Sequence, residues 1–210
     1  MTNLWTDPEH AFRYLAIADS IPHRIEGERV VLELLELTPA PARVLDLGTG
    51  DGRLGALILA AYPDAEVVAC DFAPHMLERA RERFATNSAV SVVQHDLNDS
   101  LPQWEPFDAV VSSFAIHHVD DSRKQSLFHE IAALLRPGRP FLNLEHVQSR
   151  TPEGHVQWMK VMNIDPLHDD PSNRLAPVPD QLTWLDAAGF RDADCFWKWR
   201  ELALLAAWKA

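Results

Sequence analysis

The sequence is short of several features that would point to particular classes of protein. Only two of its 210 residues are cysteine, so no disulfide framework is expected and a reducing cytoplasm is the default location. Lysine and arginine number 19 against 31 acidic residues and form no cluster, which disfavours binding to nucleic acid or to an anionic membrane. No stretch approaches the roughly 18 uninterrupted apolar residues of a spanning helix. The N-terminus also lacks the basic segment and apolar run of a signal peptide.

What is present is an alternation of short apolar runs with amphipathic segments. Strands are predicted at 43–47, 66–70, 90–94, 107–112 and 140–147. Helices are predicted at 8–21, 24–37, 53–61, 74–84 and 122–135. Strands that alternate with helices of about ten to fifteen residues indicate parallel crossover connections, and hence a doubly wound α/β sheet.

The rest of the chain does not follow this alternation. Residues 148–179 contain a predicted helix at 153–162 and then a stretch rich in proline and aspartate, which indicates a functional lid or a mobile loop. A helix at 180–188 and two closely spaced apolar runs follow, and these suit an antiparallel hairpin. We find no repeat or linker and therefore expect one domain. Its parts are an N-terminal helical cap (1–40), a core (42–147), a lid (148–179) and a final helix and hairpin (180–210).

The segment VLDLGTGDG at 44–52 places three glycines directly after the first predicted strand. Such a turn lets the backbone approach a ligand's polar group at the carboxyl edge of a parallel sheet. Asp71 ends the second strand, where its carboxylate could accept hydrogen bonds from both hydroxyls of a ribose. Gly50, Gly52 and Gly55 also satisfy the dinucleotide pattern G-x-G-x-x-G. These features fit a nicotinamide cofactor and other nucleotide-like cofactors equally well.

Three further features favour a ligand without a pyrophosphate. Asp46 precedes the glycines and would repel a pyrophosphate, whereas an acid suits an ammonium or sulfonium group. Asp96 and Leu97 end the third strand at the same edge, where a carboxylate beside an apolar side chain suits the amine edge of an adenine ring. No Ser/Tyr-x-x-x-Lys pair or comparable hydride-transfer set follows the fourth strand.

Five segments, taken in order, resemble the successive motifs of class I S-adenosylmethionine-dependent methyltransferases: VLDLGTGDG, CDFAPHMLERARERF, QHDLND, FDAVVSSFAIHHVDD and LLRPGRPFLNLEHV. Together they span about residues 42–147, which would make this part the cofactor-binding core. The resemblance implies S-adenosylmethionine as the cofactor. It also implies a Rossmann-like, seven-stranded, mostly parallel sheet with an antiparallel last strand, here preceded by the N-terminal helical extension.

The resemblance further implies a role for each matching residue. The first motif would hold the methionine part of the cofactor through Asp46, Gly48, Thr49, Gly50 and Gly52. Asp71 would hold the ribose. The adenine would meet Phe72, Met76, Asp96 and Leu97, and Ser113 would line the cofactor at the end of the fourth strand.

An N-terminal helical segment folds over the cofactor in related small-molecule methyltransferases. Tyr14 and Arg24 are therefore candidates for binding the methionine carboxylate or for forming the lid, and the alternative is a packing or surface role. No metal is expected, because the acids and histidines at 155–170 lack regular ligand spacing.

Three residues are candidates for catalysis. His118, in the pair with His117, is a candidate general base because histidine titrates near neutrality; the alternative is a wall of the pocket. Glu145 and His146 end the fifth strand at the same edge. They could orient or deprotonate the acceptor, or anchor the lid.

The expected reaction is an in-line displacement in which an N, O, S or C atom of the acceptor attacks the methyl carbon and a neutral thioether leaves. Because the methyl group is already activated, the protein mainly supplies proximity, alignment and exclusion of water, and a general base is optional. The acidic composition favours a small-molecule acceptor, and a homodimer stays open. The alternatives are a noncatalytic or cofactor-modifying S-adenosylmethionine-binding protein and an NAD(P)-dependent oxidoreductase.

Overall fold

A computed structural model of the chain describes residues 5, 7–9, 15, 18, 20–165 and 169–210. Its helices are α1 (Arg24–Glu36), α2 (Arg53–Ala61), α3 (Pro74–Arg83), α4 (Asp121–Leu134), α5 (Pro152–Val161) and α6 (Val178–Ala187). Its strands are β1 (Arg43–Leu47), β2 (Glu66–Asp71), β3 (Val90–Gln94), β4 (Ala109–Ser113), β5 (Pro140–His146), β6 (Phe190–Trp199) and β7 (Leu202–Lys209). None of the helices in these ranges is long and apolar enough to cross a membrane.

The seven strands form one sheet in the order β3-β2-β1-β4-β5-β7-β6. Strands β1 to β5 pair in parallel, and β7 runs antiparallel to both β5 and β6. The predicted seven-stranded sheet with an antiparallel last strand is therefore confirmed. β1, α2 and β3 have the predicted bounds, whereas the fourth strand begins two residues later than predicted. Phe107 forms only an isolated bridge to Leu135.

The core lies on both faces of the sheet. On one face Leu45 and Val110 pack in a cluster with Phe128 of α4. On the other face their strand neighbours Val44 and Val111 pack in a cluster that includes residues of α1 and α2. Side chains alternate between the two faces of a strand, so apolar residues at consecutive positions require cover on both sides. This arrangement explains why the strands read as continuous apolar runs.

The strand order reverses between β1 and β4, where the chain leaves β1 for β2 on one side and later returns to β4 on the other. Loops that leave adjacent strands in opposite directions open a crevice at the carboxyl edge of the sheet. The glycine turn after β1 enters this crevice with Gly48 at a positive φ of 65°. The site is therefore to be sought at the carboxyl ends of β1, β2, β3 and β4.

Candidate functional site

A cavity of about 610 Å³ opens at this carboxyl edge. Its wall includes the glycine turn, the ends of four parallel strands, the turn after β4, part of α1, and Pro171, Ser172 and Arg174. Most of the predicted site residues line it, namely Arg24, Asp46, Gly48, Thr49, Gly50, Asp71, Phe72, Met76, Asp96, Leu97, Ser113 and His118. Residues drawn from segments far apart in sequence thus meet around one space.

Three of the predicted site residues that the structure describes do not line this cavity. Gly52 is the N-cap of α2, and a Cβ added to it would lie 2.4 Å from the ring of Phe84, on the side of the core. Glu145, which is buried, and His146 are also absent from the lining of the cavity. Tyr14 lies outside the described residues, so its predicted role stays a prediction.

Asp46 is buried at the end of β1 and holds the glycine turn in place. Its Oδ2 accepts hydrogen bonds from Thr49 Oγ1 at 2.6 Å and from the backbone N–H of Gly55 at 3.1 Å. Its Oδ1 is buried and has no hydrogen-bond partner among the described residues. Burial raises the pKa of this carboxyl from 3.8 to about 6, against the lowering effect of the two hydrogen bonds. The geometry leaves one carboxylate oxygen to be satisfied by a ligand.

Asp71 connects the end of β2 to the glycine turn. Its Oδ2 accepts from the backbone N–H of Gly50 at 2.9 Å, and its Oδ1 accepts from that of Ala73 at 2.9 Å. Burial raises the pKa of the Asp71 carboxyl even though both hydrogen bonds favour its charged form. Each carboxylate oxygen carries a second lone pair, so the group can still accept hydrogen bonds from a ligand.

The neighbouring wall combines apolar and polar side chains. Met76 is buried and packs in a small cluster with Ala73, Trp5 and Leu15. Ser113 at the end of β4 has a buried Oγ without a hydrogen-bond partner among the described residues. Buried polar atoms are almost always satisfied in native proteins, so this hydroxyl is a second atom that a ligand would complete.

A cluster of charges that the sequence reasoning missed borders the glycine turn. Glu28 is buried in α1 and its Oε1 accepts from Nε of Arg24 at 2.9 Å and from Nε of Arg53 at 2.6 Å. Both arginines line the cavity, so two guanidinium groups converge beside it on one carboxylate. The spacing of Arg24 and Glu28, one turn apart on a helix, was a signal for the first pair. Nothing in the sequence linked Arg53 to α1.

The adjacent histidines after β4 differ in their environments. His118 lines the cavity, and its Nδ1 lies 3.0 Å from Ser172 Oγ. His117 is buried, with its Nδ1 2.6 Å from Glu145 Oε1. Burial lowers the pKa of both histidines, and that of His118 falls to about 3. The pKa of His117 is further lowered by His146, and that of His118 by His117. The two rings therefore stay neutral near pH 7.

Glu145 and His146 differ in what they contact. Glu145 is fully buried, and burial raises its pKa to about 7 against the hydrogen bond from the backbone N–H of His146. Nε2 of His146 lies 2.9 Å from Glu201, a buried carboxylate that also contacts Ser149 and Nδ1 of His155. Glu201 thus joins His146 to Ser149 and His155 of the 148–179 segment, whereas the side chain of Glu145 contacts His117 and Asn143.

The far end of the same segment is fixed against the turn after β4. The backbone N–H of Arg174 donates to the carbonyl of His117 at 2.7 Å. Lys124 is fully buried, and its Nζ donates to the carbonyls of Val119 and Arg174. As a result Ser172 and Arg174 reach the cavity wall, which the sequence did not reveal.

Comparison with known proteins identifies the family. Residues 44–138 match the family described as a methyltransferase domain. A demethylmenaquinone methyltransferase of Clavibacter sepedonicus is 33% identical over 170 residues, which cover 74% of this chain and 68% of the relative. The chain belongs to the class I S-adenosylmethionine-dependent methyltransferases. It is thus an enzyme of the methyltransferase class, and its cofactor is S-adenosylmethionine.

Other relatives of this methyltransferase agree. A trans-aconitate 2-methyltransferase of Methylobacterium nodulans is 35% identical over 133 residues, covering 61% of the chain and 46% of the relative. Human N-acetylserotonin methyltransferase in complex with SAM has the same fold, with a TM-score of 0.72 and 19% identity over 99% of the chain and 58% of that structure. The chain spans between 39% and 68% of the length of the first three curated relatives.

Proposed function

We propose that this methyltransferase transfers the methyl group of S-adenosylmethionine to a small-molecule acceptor in the cavity at the carboxyl edge. The observation that carries the proposal is the buried Asp46 carboxylate, whose Oδ1 has no partner among the described residues. A buried carboxylate oxygen without a partner is costly, and an ammonium group would satisfy it. Methionine carries such a group, whereas the pyrophosphate of a dinucleotide would be repelled there.

The remaining residues fit the rest of the cofactor. Asp71 would accept hydrogen bonds from the ribose hydroxyls, because a carboxylate at the end of β2 has lone pairs left over. Phe72 and Met76 would pack against the adenine ring, and Asp96 would meet its amine edge. Arg24 would bind the methionine carboxylate, beside the Gly48–Gly52 turn.

The proposed contribution of the protein to the reaction is alignment in a dry space. The bound cofactor supplies a methyl group that is already activated by its positively charged sulfur. The chain positions the acceptor between the turn after β4 and the 171–174 stretch, and Trp5 and Leu15 help to exclude water. Of the three predicted catalytic residues only His118 lines the cavity, so we propose that it contacts the acceptor while Glu145 and His146 support the wall.

A small molecule is supported as acceptor by the cavity and by two of the relatives. A volume of about 610 Å³ lies within the range typical of small-molecule sites. The relatives are named for demethylmenaquinone and trans-aconitate, two small molecules of different chemistry. The location we propose is the cytoplasm, because both cysteines, Cys70 and Cys195, are free thiols.

The substitution Asp71→Asn tests the proposed site. We expect it to weaken the binding of S-adenosylhomocysteine about tenfold to hundredfold. The amide has only one oxygen to accept hydrogen bonds, and its NH₂ group would face one of two backbone donors. Isothermal titration calorimetry measures the dissociation constant, with thermal unfolding as a check on the fold.

The matched control is Asp64→Asn, which removes the same charge from an exposed loop away from the cavity. We expect this variant to bind S-adenosylhomocysteine as the unmodified protein does. An unchanged affinity in Asp71→Asn would show that the ribose does not bind at the end of β2 and would remove most of the proposed site.

A further inference from the structure

His118 contacts the 148–179 segment through hydrogen bonds that involve two further side chains. Ser172 Oγ lies 3.0 Å from Nδ1 of His118 and 2.7 Å from Oδ1 of Asp170. The backbone N–H of Ser172 also donates to Asp170 Oδ1, at 2.8 Å. Asp170, Ser172 and His118 therefore form a continuous hydrogen-bonded series that ends at the cavity.

The hydrogens available in this series decide which group donates in each hydrogen bond. A carboxylate has no hydrogen to donate, so the hydrogen bond between Asp170 and Ser172 uses the one hydrogen of the serine hydroxyl. The oxygen of Ser172 is then left with lone pairs toward His118. The second hydrogen bond forms only if Nδ1 of His118 carries the hydrogen and donates it. In a neutral imidazole this leaves Nε2 as a bare acceptor.

The other ring nitrogen is available to a ligand. The side-chain hydrogen bond of the His118 ring is made by Nδ1, to Ser172 Oγ, and Nε2 is not one of the buried polar atoms that lack a partner. His118 also lines the cavity, with the indole of Trp5 edge-on to its ring at a centroid distance of 5.1 Å. A lone pair of Nε2 can therefore meet a molecule bound in the cavity.

The segment that carries Ser172 is held firmly enough to set this geometry. Arg174 donates its backbone N–H to the carbonyl of His117, and its own carbonyl accepts from the buried Nζ of Lys124. The guanidinium of Arg174 also lies 3.2 Å from Asp120. Ser172 therefore lies two residues from Arg174, which is hydrogen-bonded to the same turn that carries His118.

We propose that Asp170 and Ser172 are positioning residues that hold His118 with its hydrogen on Nδ1, so that Nε2 accepts a hydrogen bond from the methyl acceptor. This inference rests on the proposed function and deepens it. An acceptor recognised in this way carries a hydrogen on the attacking atom, as a hydroxyl or an amine does. An ionised carboxylate brings no such hydrogen to Nε2.

The position of the hydrogen can be measured directly by nitrogen-15 NMR of protein labelled at histidine, because protonated and bare ring nitrogens resonate at well-separated frequencies. The His118 signals are assigned by their loss in His118→Gln. At pH 7 we expect Nδ1 of His118 to be protonated and Nε2 to be bare. The opposite assignment would overturn the proposal.

Three variants separate positioning from packing. Ser172→Ala should remove the preference and leave a mixture of the two tautomers, whereas Ser172→Thr keeps the hydroxyl and should retain Nδ1–H. Asp170→Ala removes the oxygen that accepts the serine hydrogen, which frees this hydrogen for Nδ1 and lets the hydrogen of His118 move to Nε2. Wild-type signals in both Ser172→Ala and Asp170→Ala would overturn the role of the two residues.

The acceptor class is tested with two probes of similar size in the presence of saturating S-adenosylhomocysteine. Phenol, which has a hydroxyl, should shift the Nε2 resonance in the unmodified protein and in Ser172→Thr, and at least tenfold less in Ser172→Ala. Benzoate should leave this resonance in place. A shift with benzoate, or with neither probe, would contradict the inferred class.

The binding of S-adenosylhomocysteine distinguishes a failure of the proposed function from a failure of the inference about Asp170 and Ser172. If S-adenosylhomocysteine fails to bind the unmodified protein, the proposed function itself fails. If it binds to the unmodified protein and to all three variants while the His118 hydrogen is on Nε2, only the inference about Asp170 and Ser172 is wrong.

Discussion

The substitution Asp46→Asn is expected to weaken the binding of S-adenosylhomocysteine about hundredfold to thousandfold while the fold is retained. Truncating one partner of a buried charge pair costs about 2–5 kcal/mol, of which part comes from the charge left unpaired. The amide oxygen of asparagine can still accept from Thr49 and from the backbone of Gly55, as Asp46 Oδ2 does now. What is lost is the negative charge at Oδ1, the atom that we assign to the ammonium group. Calorimetry gives the dissociation constant.

The stability of ligand-free Asp46→Asn should not fall when its affinity falls. Because the pKa of Asp46 rises from 3.8 to about 6 on folding, the native state favours the protonated carboxyl. The stability contributed by this group is present below pH 3.8 and is lost as the pH rises through 6. Removing the charge should therefore leave the melting temperature of the ligand-free protein unchanged or higher at pH 8, although affinity falls.

The pH dependence of binding gives an independent check on Asp46. An ammonium ligand favours the ionised carboxylate, so affinity for S-adenosylhomocysteine should increase as the pH rises through about 6 and level off above it. Asp46→Asn should lack this dependence. The control Asp99→Asn removes an exposed charge after β3 and should keep both the affinity and the pH profile. Equal affinity in Asp46→Asn and in the unmodified protein would refute the ammonium assignment.

The substitution Gly48→Ala is expected to reduce the free energy of unfolding by about 3 kcal/mol or more, from backbone strain plus overpacking. Gly48 has a φ of 65°, and a Cβ added to it would lie 2.0 Å from Cβ of Ala115. The turn after β1 and the turn after β4 cannot separate to relieve this contact without opening the cavity. Denaturation in guanidinium chloride measures the loss.

Gly50→Ala is the matched control, since Gly50 also has a positive φ, of 57°, but an added Cβ would meet nothing within 4 Å. We expect it to cost only the roughly 1–2 kcal/mol of the left-handed backbone. Adding Ala115→Gly to Gly48→Ala removes the Cβ with which the new side chain clashes. The double variant should therefore lose only about as much stability as Gly50→Ala does. If the two glycine variants lost equal stability, the close approach to Ala115 would not be what requires glycine at position 48.

The parts of this molecule that depend on local pattern were predictable from its sequence. β1 and α2 were predicted with the bounds that the structure has, because an apolar run, a glycine turn and an amphipathic helix follow each other without interruption. Asp71 and Asp96 could be assigned to one edge because the ends of parallel strands meet there. The sequence analysis named His118 as the candidate, but nothing in the sequence distinguished it from His117, because the difference depends on which ring faces the buried Glu145.

The contacts that close the cavity were not predictable, because they join residues far apart in sequence. Lys124 reaches the carbonyl of Arg174, and Glu201 on the last hairpin receives side chains from β5 and from the beginning of the 148–179 segment. Each of these contacts depends on the path of the 148–179 segment, whose sequence has no hydrophobic periodicity from which that path could be predicted. The sequence indicated that this segment bears on function, but not that Ser172 would reach His118.

The most direct test of the account is calorimetric titration of the unmodified protein with S-adenosylhomocysteine and, separately, with NADH. Both ligands have an adenine and a ribose, so the comparison isolates what the Asp46 end of the cavity accepts. We predict one molecule of S-adenosylhomocysteine bound per chain and no measurable binding of NADH under the same conditions. Binding of NADH more tightly than S-adenosylhomocysteine would contradict the account.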